Sequence, residues 1–164
     1  MNTQQKLVSA LQTIPWLQEL SQEHFEKIVG IASLCEVDTK QEIFREGDAE
    51  DYMYIVLQGR IAIDMFVPGR GRTRVYTAEP MDVFGWSSVI PVARQRTAGA
   101  RAVLPSHLIR LDANKLLVLC EQDRSLGYII MRKLANVVTL RLLTTRLQLL
   151  DIFAHPEAEE GVNV

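Results

Sequence analysis

Apolar positions change their period twice along the chain. Leu7, Leu11 and Ile14 recur at three- and four-residue steps and stop at Pro15, which predicts a first helix. Ser21 then offers an N-cap, with Leu20 and Phe25 spaced as a hydrophobic staple, so a second short helix is expected over Gln22 to about Ser33. From Leu34 to Leu111 the pattern becomes short runs rich in Val, Ile, Tyr and Phe. Gly47-Asp48, Gly59, Pro68-Gly69, Gly71, Glu79-Pro80, Gly85 and Pro105 break these runs. After Asp112, a further N-cap, a short apolar helix runs to Cys120. Asp123 opens a much longer one to about Phe153, free of proline and interrupted only by Gly127.

Several short strands with a turn signal every eight to twelve residues must bury one face against another sheet. The expected fold is therefore α+β and mainly β: an antiparallel β-roll, of the double-stranded β-helix or jelly-roll kind, flanked by N-terminal helices and a long C-terminal helix. The parts are a helical segment over residues 1–33, the roll over 34–111, the C-terminal helices over 112–153 and an acidic tail over 154–164. Together they are read as one domain, since 164 residues would make two cores marginal. Leu140, Leu143, Leu147 and Leu150 form one stripe on the long helix, while Leu134, Val137 and Val138 lie on a partly different face. The stripe predicts a homodimer interface.

Composition narrows the function classes. Hydrophobic residues at 48% and charged residues at 23% suit a chain that folds around its own core. A formal net charge of −2 gives no global field toward nucleic acid or anionic lipid, so any anion site must be local. Cys35 and Cys120 stand alone in apolar stretches and read as reduced core thiols. No secretory leader and no stretch of about 20 apolar residues occurs, which makes the cytoplasm the expected compartment and a membrane an unexpected partner.

Two stretches carry a stronger signal. The first is Ile43-Phe44-Arg45-Glu46-Gly47-Asp48 followed by Met53-Tyr54-Ile55-Val56-Leu57-Gln58-Gly59, with glycines where turns need positive φ and an apolar strand between them. The second is Phe84-Gly85-Trp86-Ser87-Ser88-Val89, six residues, and then Arg96-Thr97-Ala98-Gly99-Ala100-Arg101-Ala102. Both resemble the cyclic-nucleotide-binding domains of the catabolite-activator and Fnr type of regulator. The resemblance implies a phosphate-binding cassette over residues 84–102, in which a short helix presents N–H groups to a phosphate and an arginine pairs with its charge. Its ligand-binding residues here would be Gly85, Trp86, Ser87, Ser88, Arg96, Thr97 and Ala98. The small side chains of Ala98, Ala100 and Ala102 face one side of a strand and would leave room for a ligand.

The chain departs from the family pattern in two places. A glutamate that accepts from the ribose 2′-hydroxyl is replaced by Trp86, and a lost charged hydrogen bond costs about 1.5–3 kcal/mol. The resemblance thus implies cAMP or cGMP as candidate ligands, with the ribose contact removed. The family's transcription factors also continue into a helix-turn-helix, whereas only the acidic tail occupies that place here, so no sequence-specific DNA binding is expected. The expected function is that of a non-catalytic regulatory sensor, which binds a cyclic nucleotide or related small anion and signals through its long helix to a downstream protein. The alternative is a ligand-free dimeric adaptor that keeps the roll as a scaffold.

Arg70, Arg72, Arg74, Arg94, Arg96 and Arg101 crowd between Gly69 and Ala102, opposed only by Glu79 and Asp82. The first three read as a solvated hairpin, and Arg96 as the ligand contact. His24, His107 and His155 stand on separate elements without a metal-binding spacing, so neither a catalytic nor a metal site is expected.

Overall fold

A capping box opens α1 (Thr3–Gln12): Gln5 N donates to Asn2 Oδ1 at 2.8 Å and Asn2 N to Gln5 Oε1 at 3.0 Å. Leu7 and Leu11 are buried on its inner face, and Ile14 is buried just beyond the helix end, where the 3-10 turn Pro15–Leu17 begins. The second helix, α2 (Gln22–Val29), starts at the expected cap, Ser21 Oγ accepting from His24 N at 3.2 Å. It ends four residues earlier than its apolar pattern predicts. Gly30 caps it, and Ala32 to Val37 find ladder partners in residues 106–111, which win over helical propagation. The computed structural model describes residues 2–49, 51–90 and 95–154. The acidic tail from His155 onward and Arg94 lie outside these.

Among the described residues, eight strands make up the roll: β1 (Ala32–Val37), β2 (Glu42–Phe44), β3 (Tyr52–Gln58), β4 (Ile61–Val67), β5 (Gly71–Ala78), β6 (Val83–Phe84), β7 (Gly99–Ala102) and β8 (Ser106–Asp112). They form two four-stranded sheets ordered β1-β8-β3-β6 and β2-β7-β4-β5, with every pairing antiparallel. The expected mainly β roll is the observed architecture. Its core joins Val37, Tyr54, Val56, Ile61, Ile63, Ala78, Phe84, Ala100, Ala102 and Leu108. In β3, Met53 to Val56 are buried in succession, as the unbroken apolar run between the two motif glycines requires. At Gly59, φ is +95° and a Cβ would stand 2.1 Å from Ser106 Oγ, so only glycine lets the β3–β4 turn meet β8.

Asp112 Oδ1 accepts from Lys115 N at 2.9 Å and starts α3 (Ala113–Gln122), which ends at Asp123. The last helix, α4 (Arg124–Ala154), is 31 residues long. The chain divides into two compact units, Met1–Gly127 and Tyr128–Val164. The second is helical over its described length and exposes Leu140, Leu143, Leu147 and Leu150 at 49–67%. Both cysteines are free thiols, and burial pushes that of Cys120 above its ordinary pKa. No helix among the described residues is long and apolar enough to cross a membrane.

Candidate functional site

The cassette is assembled from three separate parts of the roll. Gly85 adopts a left-handed conformation, φ +66°, directly after β6 and turns the chain into the 3-10 helix Trp86–Val89. A Cβ there would lie 2.8 Å from Arg96 Nη1 and 3.2 Å from the Tyr52 carbonyl, so a side chain would crowd the arginine tip as well as strain φ. The Gly85 carbonyl accepts from Ser88 Oγ at 2.7 Å and from Ser88 N at 3.2 Å. Ser87 is buried, whereas Trp86 and Ser88 are half-buried.

Arg96 joins the other two parts. Its side chain is turned inward and the residue is only 4% exposed. Nη1 donates to the Gly85 carbonyl at 3.0 Å and Nη2 to the Tyr52 carbonyl at 2.6 Å. Its guanidinium carbon lies 4.0 Å from the centroid of the Phe44 ring, within cation–π range. The main chain is held too: Arg96 N donates to Asp48 O at 3.0 Å, and Gly47 N donates to Arg96 O at 2.8 Å. The two sequence motifs therefore meet at one residue.

Beside the guanidinium lies a group of four aromatic rings. Tyr54 stacks on Phe84 at 5.0 Å, and Phe44 stands 5.9 Å from Tyr54 and 6.1 Å from Phe84. Tyr52 is 6.2 Å from Tyr54, and burial raises the Tyr54 hydroxyl's pKa. Ala100 and Ala102 share one side of β7, as their alternation predicts, but that side is the packed hydrophobic core and not open room for a ligand, and Ala98 packs on its edge. Thr97 is exposed. Gly85, Trp86, Ser87, Ser88, Arg96, Thr97 and Ala98 thus fall on one turn and the segment entering β7.

Two other arginines of the set serve other contacts. Arg72 Nη2 reaches across from the β4–β5 hairpin to Glu42 Oε1 at 2.7 Å, and Arg101 Nη2 pairs with Asp64 Oδ2 at 3.3 Å. Arg72 and Arg45 hold the Glu42 carboxyl below the usual range. A cleft of about 200 Å³ lies on this second sheet, lined by Phe44, Met65, Phe66 and these paired charges. Of the cassette it includes the strand positions Gly99, Ala100 and Arg101. His107 Nδ1 stands 3.5 Å from Glu36 and His24 Nε2 3.0 Å from Asp123. Among the described residues no group of acidic, histidine and cysteine side chains has a metal-binding arrangement.

Sequence reasoning missed two partners of Arg96. The Tyr52 carbonyl is main chain and leaves no residue-type signature. Phe44 sits within the first motif, and its aromatic ring beside a buried arginine was the one signal that could have identified it.

A family model described as cyclic nucleotide-binding domain matches residues 34–123. No curated protein matches the chain. Among solved structures, a candidate cyclic nucleotide-binding protein from Geobacter metallireducens is 25% identical with a TM-score of 0.71, over 87% of this chain and 99% of that one. A cyclic nucleotide-binding domain from Methylobacillus flagellatus gives 20% identity and a TM-score of 0.75, over 90% and 83% of the two chains. The catabolite activator protein of Thermus thermophilus gives 22% and 0.66, over 84% of this chain and 63% of that one.

Proposed function

Since the chain belongs to the cyclic nucleotide-binding domain family, we propose that it is a non-catalytic regulatory sensor whose cassette takes a small anion and whose output leaves through the long helix α4. The observation that carries this reading is the pair of hydrogen bonds from Arg96 to the Gly85 and Tyr52 carbonyls. They hold a buried guanidinium against the turn that opens the 3-10 helix Trp86–Val89. An anion accepting from Arg96 would compete with those carbonyls, because an ionised acceptor adds ion pairing and a forked, two-bond geometry that a neutral carbonyl cannot offer the guanidinium. Releasing Gly85 O would free the turn it anchors. The 3-10 helix packs against α3, and α3 leads through Asp123 into α4, so a shift at the turn has a continuous route to the output helix.

The ribose side of the site is altered. Trp86 stands where the family pattern has a carboxylate, which favours a ligand other than an ordinary cyclic nucleotide. The same observation, joined to the aromatic group beside Arg96, favours a second reading: an adaptor in which the protein's own side chains have replaced the ligand. Calorimetric titration of the intact chain with cAMP, cGMP, AMP and inorganic phosphate separates the two. Saturable binding of any one of them that Arg96→Lys weakens supports the sensor, because lysine cannot reproduce the forked contact. A folded chain that binds none of the four supports the adaptor.

A further inference from the structure

Asp123 is the one residue between α3 and α4 that is not helical, with φ −122° and ψ 94°. It completes both helices. Its N–H donates to Leu119 O at 2.9 Å and closes α3, while its Oδ1 accepts from Leu126 N at 3.1 Å and its carbonyl from Gly127 N at 2.8 Å to open α4. Oδ2 is left over from these capping contacts, and it faces α2. Lys27 Nζ lies 2.7 Å from it and His24 Nε2 3.0 Å from it. Lys27 also reaches Glu23 Oε1 at 2.7 Å on the outer side of α2.

The joint around Asp123 is tight. A Cβ on Gly127 would stand 2.6 Å from the Cys120 carbonyl, so the two helices nearly touch where they diverge. Close packing on both sides leaves Asp123 as the residue able to absorb a change of backbone angle, as hinge positions do at the ends of elements. Its other carboxylate oxygen is gripped by a helix 96 residues away in sequence. Capping alone would not need that grip.

We infer that Asp123, Lys27 and His24 form a latch by which the N-terminal helix α2 holds the α3–α4 joint, so that α2 governs how freely the joint moves. The latch is a regulatory device separate from the cassette and stands whichever ligand the cassette takes. The side chains of His24, Lys27 and Asp123 are 14%, 31% and 20% exposed, so water screens the contact only in part. A partner or modification that drew Lys27 or His24 away would loosen the joint without touching the roll.

Amide hydrogen exchange on the intact chain tests this. Asp123→Asn keeps a capping oxygen and removes the charge, Lys27→Ala removes the nearer cation, and Lys27→Arg restores it. The first two variants should raise the exchange rates of Leu126 and Gly127 by about fivefold, the scale on which a lost, partly screened ion pair raises local opening. Lys27→Arg should return them close to wild type. Amides of β3 and β8 should be unchanged in all three. Unchanged rates at Leu126 and Gly127 in both loss variants would overturn the latch. So would a rise shared equally by β3 and β8, which would mark a loss of global stability, or a failure of Lys27→Arg to restore protection.

Discussion

Arg96 and Phe44 are separated by about two thirds of the roll in sequence and meet in its interior, the guanidinium carbon 4.0 Å over the ring centroid. The contact converts a cassette arginine into part of the domain's interior. Removing it would take its donor from the Tyr52 carbonyl and leave the Gly85 carbonyl to Ser88 alone, at about 1.5–3 kcal/mol for hydrogen bonds to a charged group. Arg96→Ala should therefore destabilise the fold by that amount in urea unfolding, and Phe44→Leu by about 0.5–2 kcal/mol through the lost cation–π contact. A change below about 0.5 kcal/mol for both would show that the arginine's place is not structural.

Trp86 decides whether the ribose side of the cassette can be recovered. Trp86→Glu removes the indole and returns a carboxylate acceptor, so cAMP or cGMP affinity should tighten by about tenfold or more in calorimetric titration. If the wild type already binds cAMP at low micromolar Kd and Trp86→Glu weakens it, the indole is a stacking contact.

The exposed stripe Leu140, Leu143, Leu147 and Leu150 should pair two copies of the chain, because an apolar face of this kind is costly to leave in water. Light scattering should give twice the chain mass. Leu143→Asp combined with Leu147→Asp should give a folded monomer, and a wild-type monomer at micromolar concentration would end the idea.

Gly127 should resist replacement even though alanine is the better helix former by about 1 kcal/mol. The added methyl would meet the Cys120 carbonyl at 2.6 Å, and that obstacle is backbone. Gly127→Ala is expected to lower Tm. An increase would mean that the α3–α4 joint can open to admit it.

Stability at low pH should depend on Asp123. The hydrogen bond from Lys27 leads the causes that hold its carboxyl at about 2, against an ordinary 3.8. A depressed carboxylate pKa means the folded state binds fewer protons, so its contribution is full above about pH 3.8 and is lost as pH falls toward 2. Asp123→Asn should flatten the fall of Tm across that window. Parallel Tm curves for the two proteins would assign the acid sensitivity to other carboxylates.

Much of the fold was legible because it depends on residue type. Gly47, Gly59, Gly69, Gly71 and Gly85 all take positive φ, at turns their identity had marked. Ser21, Asp112 and Asp123 all cap the helices they were expected to begin. The start of β1 was not legible, because the apolar run from Ile28 to Leu34 suits a helix face as well as a strand, and pairing with β8 decided it. Nor was the inward turn of Arg96. Its acceptors are main-chain carbonyls, which every residue possesses, and the grip of Lys27 on Asp123 spans 96 positions that no local pattern connects.

The bonds that fix Arg96 reach 11 residues back to Gly85 and 44 residues back to Tyr52, and its own main chain is pinned to Gly47 and Asp48. A cassette built this way is not portable. Residues 84–102 excised as a peptide, or grafted onto a foreign strand pair, would carry the arginine without the strands that aim it. Recombination among related domains must therefore exchange β2, β3 and the cassette together, and a chimaera that splits them should lose the arginine's orientation while keeping every cassette residue.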